Sequence, residues 1–153
     1  MIRIVKAQYW HALWIGVFMR EDDRQELIAL GHDPQQACEL SFLVSRKAFT
    51  ALDNAAPLLI FGVTHTPDRP RAGIPWLLAA PGVTEYSRRL ARESKQWLAI
   101  LSKGYDFLYQ IKDARNMAQI RWLEWLGFQT TCCYPDLGPE HRRFLGMRKE
   151  CHV

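Results

Sequence analysis

The residue types that most often carry chemistry are scattered along this sequence of 153 residues. The four cysteines include no pair with the two-residue spacer of a zinc knuckle, and the neighbours Cys132 and Cys133 would point to opposite sides of a strand. The histidines share no regular spacing either; they are His11, His32, His65, His141 and His152. We therefore expect no metal site, and we expect the cysteines to be the reduced thiols of an intracellular protein.

Basic side chains are the second chemical signal, and the formal net charge is +4. Arg88, Arg89 and Arg92 lie close together and would suit an acidic ligand such as a phosphate-bearing cofactor, although a solvated helix face also explains them. A nucleic-acid-binding surface would pair such arginines with stacked aromatic rings. Because the aromatic residues fall mostly in apolar stripes that core packing explains, nucleic acid is not an expected partner.

Composition indicates one globular domain over residues 1–153, since 48% of the residues are apolar and 24% are charged. No apolar run approaches the roughly 20 residues that span a bilayer, so no membrane association is expected. The start of the chain does not match a signal peptide, because Arg3 and Lys6 interrupt its apolar residues. We therefore do not expect a secreted protein.

The best-defined unit runs from residue 105 to residue 128. Residues 105–111 predict a buried strand. Asp113 is expected to cap a helix, whose apolar face repeats every three residues; that face comprises Met117, Ile120, Leu123 and Leu126. Gly127 is expected to end the helix in a left-handed conformation. Trp122 and Trp125 lie off this apolar face and indicate a covered surface. A partner subunit in a homo-oligomer is one cover for Trp122, and the sheet or a neighbouring helix is the favoured one.

The remaining elements follow from periodicity and turn chemistry. They are a strand (2–5), helices (7–20, 24–30 and one starting at Asp33-Pro34), a hairpin (47–52 and 58–64), a strand (73–80), a helix after Thr84 (85–103) and two final strands (128–133 and 143–148). Thr84 is expected to cap the long helix, whereas Glu21, Asp22 and Asp23 are expected to break a helical stripe. This order predicts an α/β domain with a mixed central sheet of six to seven strands and helices on both faces.

The order resembles the GNAT superfamily of acyl-CoA N-acyltransferases. That superfamily often carries an Asn on the last helix, an Ile four residues later and Leu-Gly-Phe at the helix exit. Here Asn116, Ile120 and Leu126-Gly127-Phe128 fall at those spacings. The resemblance implies a single GNAT-like domain that uses acetyl-CoA or another acyl-CoA and transfers the acyl group to a small-molecule or protein amine.

The resemblance also implies a set of cofactor-binding residues. The strand before the long helix would hold the pantetheine arm, and the long helix would open with a phosphate-binding turn. The positions that match are Leu78, Ala79, Ala80, Arg88, Arg89 and Asn116. The turn departs from the pattern, because it has one glycine and carries Glu85 beside the expected phosphate.

The catalytic residues are less well defined. Many superfamily members place a Tyr seven residues after the helix Asn, where it protonates the leaving thiolate, but this chain has Leu123 there. Asn116, Tyr134, Glu85 and His65 are the remaining candidates. The sequence therefore implies the fold more strongly than it implies efficient catalysis.

Within that superfamily the chain looks most like the phage-encoded GNAT-like internal virion proteins of podophages. The similarity covers residues 31–52, Tyr105-Asp106, Asn116 and residues 120–123. It implies an alternative function, namely a catalytically inactive protein that acts in virion assembly or protein interaction. The partners would then be virion proteins, and the location would be the host cytoplasm or the virion.

Overall fold

A seven-stranded mixed sheet organises residues 1–151, which are the residues that the computed structural model describes. The spatial order is β1-β2-β3-β4-β5-β7-β6, and only β4 and β5 run parallel. The strands are β1 (Ile2–Lys6), β2 (Lys47–Asp53), β3 (Ala56–Thr64), β4 (Ala72–Ala79), β5 (Phe107–Asp113), β6 (Gln129–Leu137) and β7 (Arg142–Glu150). The helices are α1 (Tyr9–Phe18), α2 (Glu21–Ala29), α3 (Pro34–Val44), α4 (Ser87–Ser102) and α5 (Met117–Trp125).

Helices cover both faces of the sheet, as the sequence predicted. On one face α4 and α5 pack their apolar residues against β3, β4 and β5, and this cluster contains Leu98, Leu123 and Leu108. On the other face α1 and α3 pack through Ile15 and Cys38 against the opposite sides of β3 and β4. Because side chains alternate along β4, this strand contributes residues to two separate cores, one on each face of the sheet.

Several local signals led to the correct element boundaries. Asp33 caps α3 by accepting a hydrogen bond from the Gln36 N–H at 3.0 Å. Gly104 and Gly127 follow α4 and α5 with φ angles of 92° and 103°, which favour glycine. The predicted hairpin is also present, because β2 and β3 pair antiparallel.

Two predicted helix caps were wrong. Asp113 is the last residue of β5, and its carboxylate accepts a hydrogen bond from the Arg115 N–H before α5 begins at Met117. Thr84 lies inside a 3-10 helix (Pro81–Tyr86) and donates its hydroxyl to the Pro81 carbonyl. In both places the polar side chain satisfies a nearby turn instead of the first turn of the α-helix.

The expectation that core packing explains the aromatic stripes is wrong for α1. Its inner side is formed by small or short residues around Ala12, Ile15 and Gly16. The periodic apolar residues lie on its outer side and are 40% to 52% exposed; they are Trp10, Leu13, Trp14, Val17 and Phe18. The sequence pattern identified the helix but not the side that faces the sheet.

Within residues 1–151, no helix has both the length and the apolar character needed to cross a membrane.

Candidate functional site at the opening between β4 and β5

The parallel strands β4 and β5 are paired at one end only. Their ladder comprises Ala72 with Phe107 and Gly73 with Leu108. A side chain at Gly73 would meet Leu108 Cδ2 at 2.7 Å and the Tyr105 ring at 2.9 Å, so glycine is required for this close approach. Beyond this point the strands are no longer paired, and their carboxyl ends border an opening in the sheet.

The backbone of β4 faces this opening at alternate residues. Ala80 N–H donates to the Leu58 carbonyl on β3, so the backbone groups of Ala79 point the other way. The Ala79 N–H donates to Asp23 Oδ2 at 3.0 Å, and the Ala79 carbonyl accepts from Arg20 N–H at 2.7 Å. The start of α2 therefore satisfies both backbone groups of Ala79.

Asp23 also reaches the opposite side of the opening. Its Oδ1 accepts from Gln119 Nε2 on α5 at 3.1 Å, while Arg20 Nε donates to its Oδ2 at 2.8 Å. The residue is 1% exposed, so its charge is compensated by these three contacts to protein groups and not by solvent. Asp23 thus joins α2 to both β4 and α5.

A second carboxylate of α2 joins the same helix to β5. Glu26 Oε1 accepts from the Asp113 N–H at 2.7 Å, and Glu26 Oε2 pairs with Lys112 Nζ at 3.3 Å. Both members of this ion pair are buried. Asp23 and Glu26 therefore bridge the two separated strands with side chains that lie three residues apart on one helix.

An apolar cavity of about 80 Å³ lies on the α4 and α5 side of the opening. Its walls include Leu77 on β4, Gln110 on β5, Trp97 on α4 and Trp122 on α5. Leu123 lines it too and is 2% exposed. The position at which the resemblance would place a tyrosine therefore presents a hydrocarbon side chain that cannot transfer a proton.

A larger and more polar cavity, of about 440 Å³, lies at the carboxyl end of β5 between α2 and the start of α5. Asp22, Glu26, Asp113 and Asn116 contribute to its walls. The Asn116 Nδ2 atom is buried and has no hydrogen-bond partner among the described residues. A buried amide without a partner is costly, so a side-chain rotation that turns Nδ2 into the cavity and toward a ligand carbonyl would be favourable.

Asp113 supplies a fixed negative charge at this cavity. Burial alone would raise its pKa, but hydrogen bonds and charge from Arg115 outweigh burial and hold the pKa below its ordinary value. The Arg115 Nη2 to Asp113 Oδ2 distance is 2.6 Å. The carboxylate therefore stays ionised at neutral pH, and Arg115, which also lines the cavity, compensates its charge.

The predicted cofactor positions on β4 differ in environment. Leu78 packs into the α1 and α3 core, and Ala79 and Ala80 carry small side chains beside the opening. Leu77 lies two residues before Ala79, so its N–H and carbonyl also point into the opening. Sequence reasoning missed Leu77 as a backbone contributor, although strand alternation alone would have identified it.

The region before α4 forms a 3-10 helix where the resemblance implies a phosphate-binding turn. Glu85 and Arg88 are exposed there. Arg89 is engaged within the chain, because its guanidinium donates to the Ile2 carbonyl at 3.1 Å and pairs with Glu93 at 3.4 Å. Arg88 is thus more accessible to a ligand than Arg89.

The remaining catalytic candidates lie away from Asn116. Tyr134 is on the edge strand β6, which β7 separates from β5. His65 follows β3, and its Nδ1 lies 2.9 Å from the hydroxyl of Tyr105, before the start of β5 and not at its carboxyl end. The structure therefore does not bring Tyr134 or His65 together with Asn116.

Sequence reasoning missed the buried polar residues of the opening. They are Asp23, Glu26, Lys112 and Gln119. One signal was present, because Asp23 and Glu26 are three residues apart and would share a face of any helix that includes both. No cluster of three or more His, Cys, Asp or Glu side chains suited to a metal occurs in residues 1–151, and His152 lies outside the described residues.

Comparison with family models and with curated proteins found no match. Solved structures do match over nearly the whole chain. One is yncA from Salmonella typhimurium, described as a putative acetyltransferase with its cofactor acetyl-CoA; it is 14% identical, with 98% of this chain and 94% of that chain covered and a TM-score of 0.75.

Two further solved structures also match over nearly the whole chain. The ribosomal-protein-S18-alanine N-acetyltransferase from Escherichia coli is 15% identical, with coverage of 100% and 96% and a TM-score of 0.67. The acetyltransferase of the GNAT family from Streptococcus pneumoniae is 14% identical, with coverage of 98% and 99% and a TM-score of 0.68. The chain therefore has the fold of the GNAT acetyltransferases.

Proposed function

We propose that this chain binds an acyl-CoA at the opening between β4 and β5 and transfers the acyl group to an amine. The observation that carries the proposal is the buried Asn116 amide, which lines a cavity at the carboxyl end of β5 and lacks a partner among residues 1–151. The fold supports the same assignment, because one similar structure was solved with acetyl-CoA. A carbonyl of the pantetheine arm would accept the hydrogen bond that Asn116 offers.

The residues present fit the two amide groups of a pantetheine arm. Leu77 offers a backbone N–H and carbonyl on the β4 side, and Asn116 offers its amide on the α5 side. Arg88 is exposed in the first turn of α4 and supplies positive charge for phosphates. Acyl-CoA, when bound, supplies a thioester carbonyl that is activated toward attack by an amine.

The carboxylates around the larger cavity suit an amine acceptor. Asp22 and Glu26 lie on α2, and Asp113 lies at the end of β5. Lys112 and Arg115 compensate Glu26 and Asp113, so Asp22 is the carboxylate of this set that would attract an ammonium group. The bound ammonium first loses a proton to solvent; the transfer then forms a nitrogen–carbon bond, breaks a carbon–sulfur bond and moves a second proton from the amine to the thiolate. Because Leu123 cannot donate that proton, solvent must deliver it, and we expect slow turnover.

Isothermal titration of acetyl-CoA into the wild type and two variants tests the proposal. We expect saturable binding to the wild type and an affinity loss of roughly tenfold for Asn116→Ala, the effect of one neutral hydrogen bond. Gln129→Ala on the edge strand β6 is the matched control and should bind as the wild type does. Equal affinity for all three proteins would remove Asn116 from the site.

A second candidate is a non-catalytic role in protein interaction or virion assembly, as the resemblance to phage virion proteins implies. It is favoured by one observation, namely that Asp23 and Arg20 already satisfy the Ala79 backbone at the opening. Mass spectrometry of purified virus particles tests it if the coding sequence lies in a phage genome. Recovery of the chain at a fixed copy number per particle would support assembly, and its absence from particles would exclude this role.

A further inference from the structure

The outer sides of α1 and α3 form one largely apolar surface with a single acidic side chain, Glu39, and this surface is here named the α1–α3 face. α1 contributes the five exposed residues described above, and α3 contributes Leu40, Leu43 and Val44, which are 58% to 60% exposed. The two helices lie side by side and antiparallel, because the Tyr9 ring is 6.3 Å from the Phe42 ring and Gly16 closely approaches Gln35. Exposed apolar residues of neighbouring helices therefore adjoin.

The α1–α3 face does not contribute to the core of the protomer. The sheet side of α1 is already buried through Ala12 and Ile15, and that of α3 through Cys38. At roughly 100 Å² for each half-exposed large side chain, eight such residues present about 800 Å² per protomer. Monomeric proteins seldom expose so large an apolar patch, and about 800 Å² per partner is the size of a stable protein interface.

The chemistry of the α1–α3 face restricts its partner. α1 contains no Asp, Glu, Lys or Arg, and the one charged residue of α3, Glu39, accepts a hydrogen bond from the Tyr9 hydroxyl. Nucleic acids and anionic membranes select surfaces with Lys or Arg, which neither helix has. The partner must therefore be largely apolar and carry few charges, as the face itself does.

A second copy of the chain meets that requirement in full. We propose that the α1–α3 face is the interface of a two-fold symmetric homodimer, in which the same patch of each protomer covers the other. Trp14 lies at the middle of α1, and its ring packs 4.8 Å from that of Phe18, so the two form a preorganised anchor. The opening between β4 and β5 involves neither residue, so the dimer does not depend on the proposed acyl transfer.

Sedimentation of the full chain over a range of micromolar concentrations tests this interface. We expect a wild-type dimer, and we expect Trp14→Glu to weaken dimerisation roughly 30-fold or more while leaving the circular dichroism spectrum of the folded protomer unchanged. Trp125→Glu is the matched control, because Trp125 is at least as exposed (50% against 40% for Trp14) but lies on α5. That variant should remain dimeric.

Mixing variants distinguishes a second copy from another partner. Trp14→Glu and Trp14→Lys proteins should each be monomeric alone and should form a dimer when mixed, because opposite charges then meet across the two-fold axis. A monomeric wild type would overturn the proposal, as would a dimer that survives Trp14→Glu. Open-ended polymers would overturn the two-fold arrangement, and binding of a monomeric wild type to neutral lipid vesicles would assign the face to a membrane instead.

Discussion

At the scale of single residues, the opening in the sheet depends on carboxylates that sequence alone did not place. The run Glu21-Asp22-Asp23 was interpreted as a break in a helical stripe, because consecutive acids are usually solvated. Instead they begin α2, and Asp23 is buried because tertiary hydrogen bonds to Ala79 and Gln119 compensate its charge. Asn116, in contrast, was singled out by the family resemblance; it lines a cavity, and its role in cofactor binding stays a prediction.

Asp23→Ala should destabilise the fold by about 3 kcal/mol, since the buried Ala79 N–H and Gln119 amide would both lose their acceptor. Urea unfolding at neutral pH measures the change. Asp22→Ala is the matched control, because Asp22 is exposed on the same turn of α2 and its loss should change stability by less than about 0.5 kcal/mol. Similar stabilities for the two variants would show that Asp23 does not bridge the opening.

Arg115→Gln should make stability less dependent on pH in the acid range. The folded pKa of Asp113 lies below its ordinary value of 3.8, so its pairing with Arg115 stabilises the protein above that pH and is lost as pH falls through the folded pKa. We expect the free energy of unfolding of the wild type at pH 7 to exceed that of Arg115→Gln by about 1 kcal/mol. The value is small because Arg115 is half exposed.

Urea unfolding from neutral pH down to below the folded pKa measures that difference. It should stay constant down to the ordinary pKa of Asp113 and then shrink toward zero as the carboxylate protonates. Arg121→Gln, at an exposed position of α5, should differ little from the wild type at any pH. A difference for Arg115→Gln that persists through the acid range would contradict the pairing.

At the scale of elements, the sequence correctly predicted the helix ends that short-range contacts determine. Asp33 and Gly104 mark helix ends through short-range hydrogen bonds and backbone conformation, and both predictions were confirmed. Predictions failed where the outcome depends on distant partners. The stripe of α1 was identified correctly, but periodicity does not say whether the sheet or another molecule covers it. The expected Asp113 cap failed for a local reason instead, because β5 extends farther than its apolar run and Asp113 pairs with Arg115 two residues later.

Gly73→Ala should destabilise the sheet by about 2 kcal/mol, because the added methyl group would overlap Leu108 and Tyr105 at the one place where β4 and β5 pair. Thermal or urea unfolding measures the loss. Gly82→Ala is the matched control, since its methyl group would lie 3.4 Å from Leu58 in ordinary van der Waals contact. Equal stability of the two variants would mean that β4 and β5 tolerate a wider spacing at Gly73.

At the scale of the whole molecule, the order of elements predicted the mixed sheet and its two helical layers. The site was less predictable, because its defining contacts join α2, β4, β5 and α5, which are far apart in sequence. The same molecule carries two independent features. One is the opening with the unpartnered Asn116, and the other is the α1–α3 face.

Acyl-CoA binding to the folded molecule is the central claim, and the melting temperature in the presence of acetyl-CoA tests it most directly. A ligand that binds only the native state stabilises it by about 2.7 kcal/mol at about 100 times its Kd. We expect millimolar acetyl-CoA to raise the melting temperature of the wild type by several degrees, and to raise that of Asn116→Ala less. An unchanged wild-type melting temperature at millimolar acetyl-CoA would contradict the proposed function.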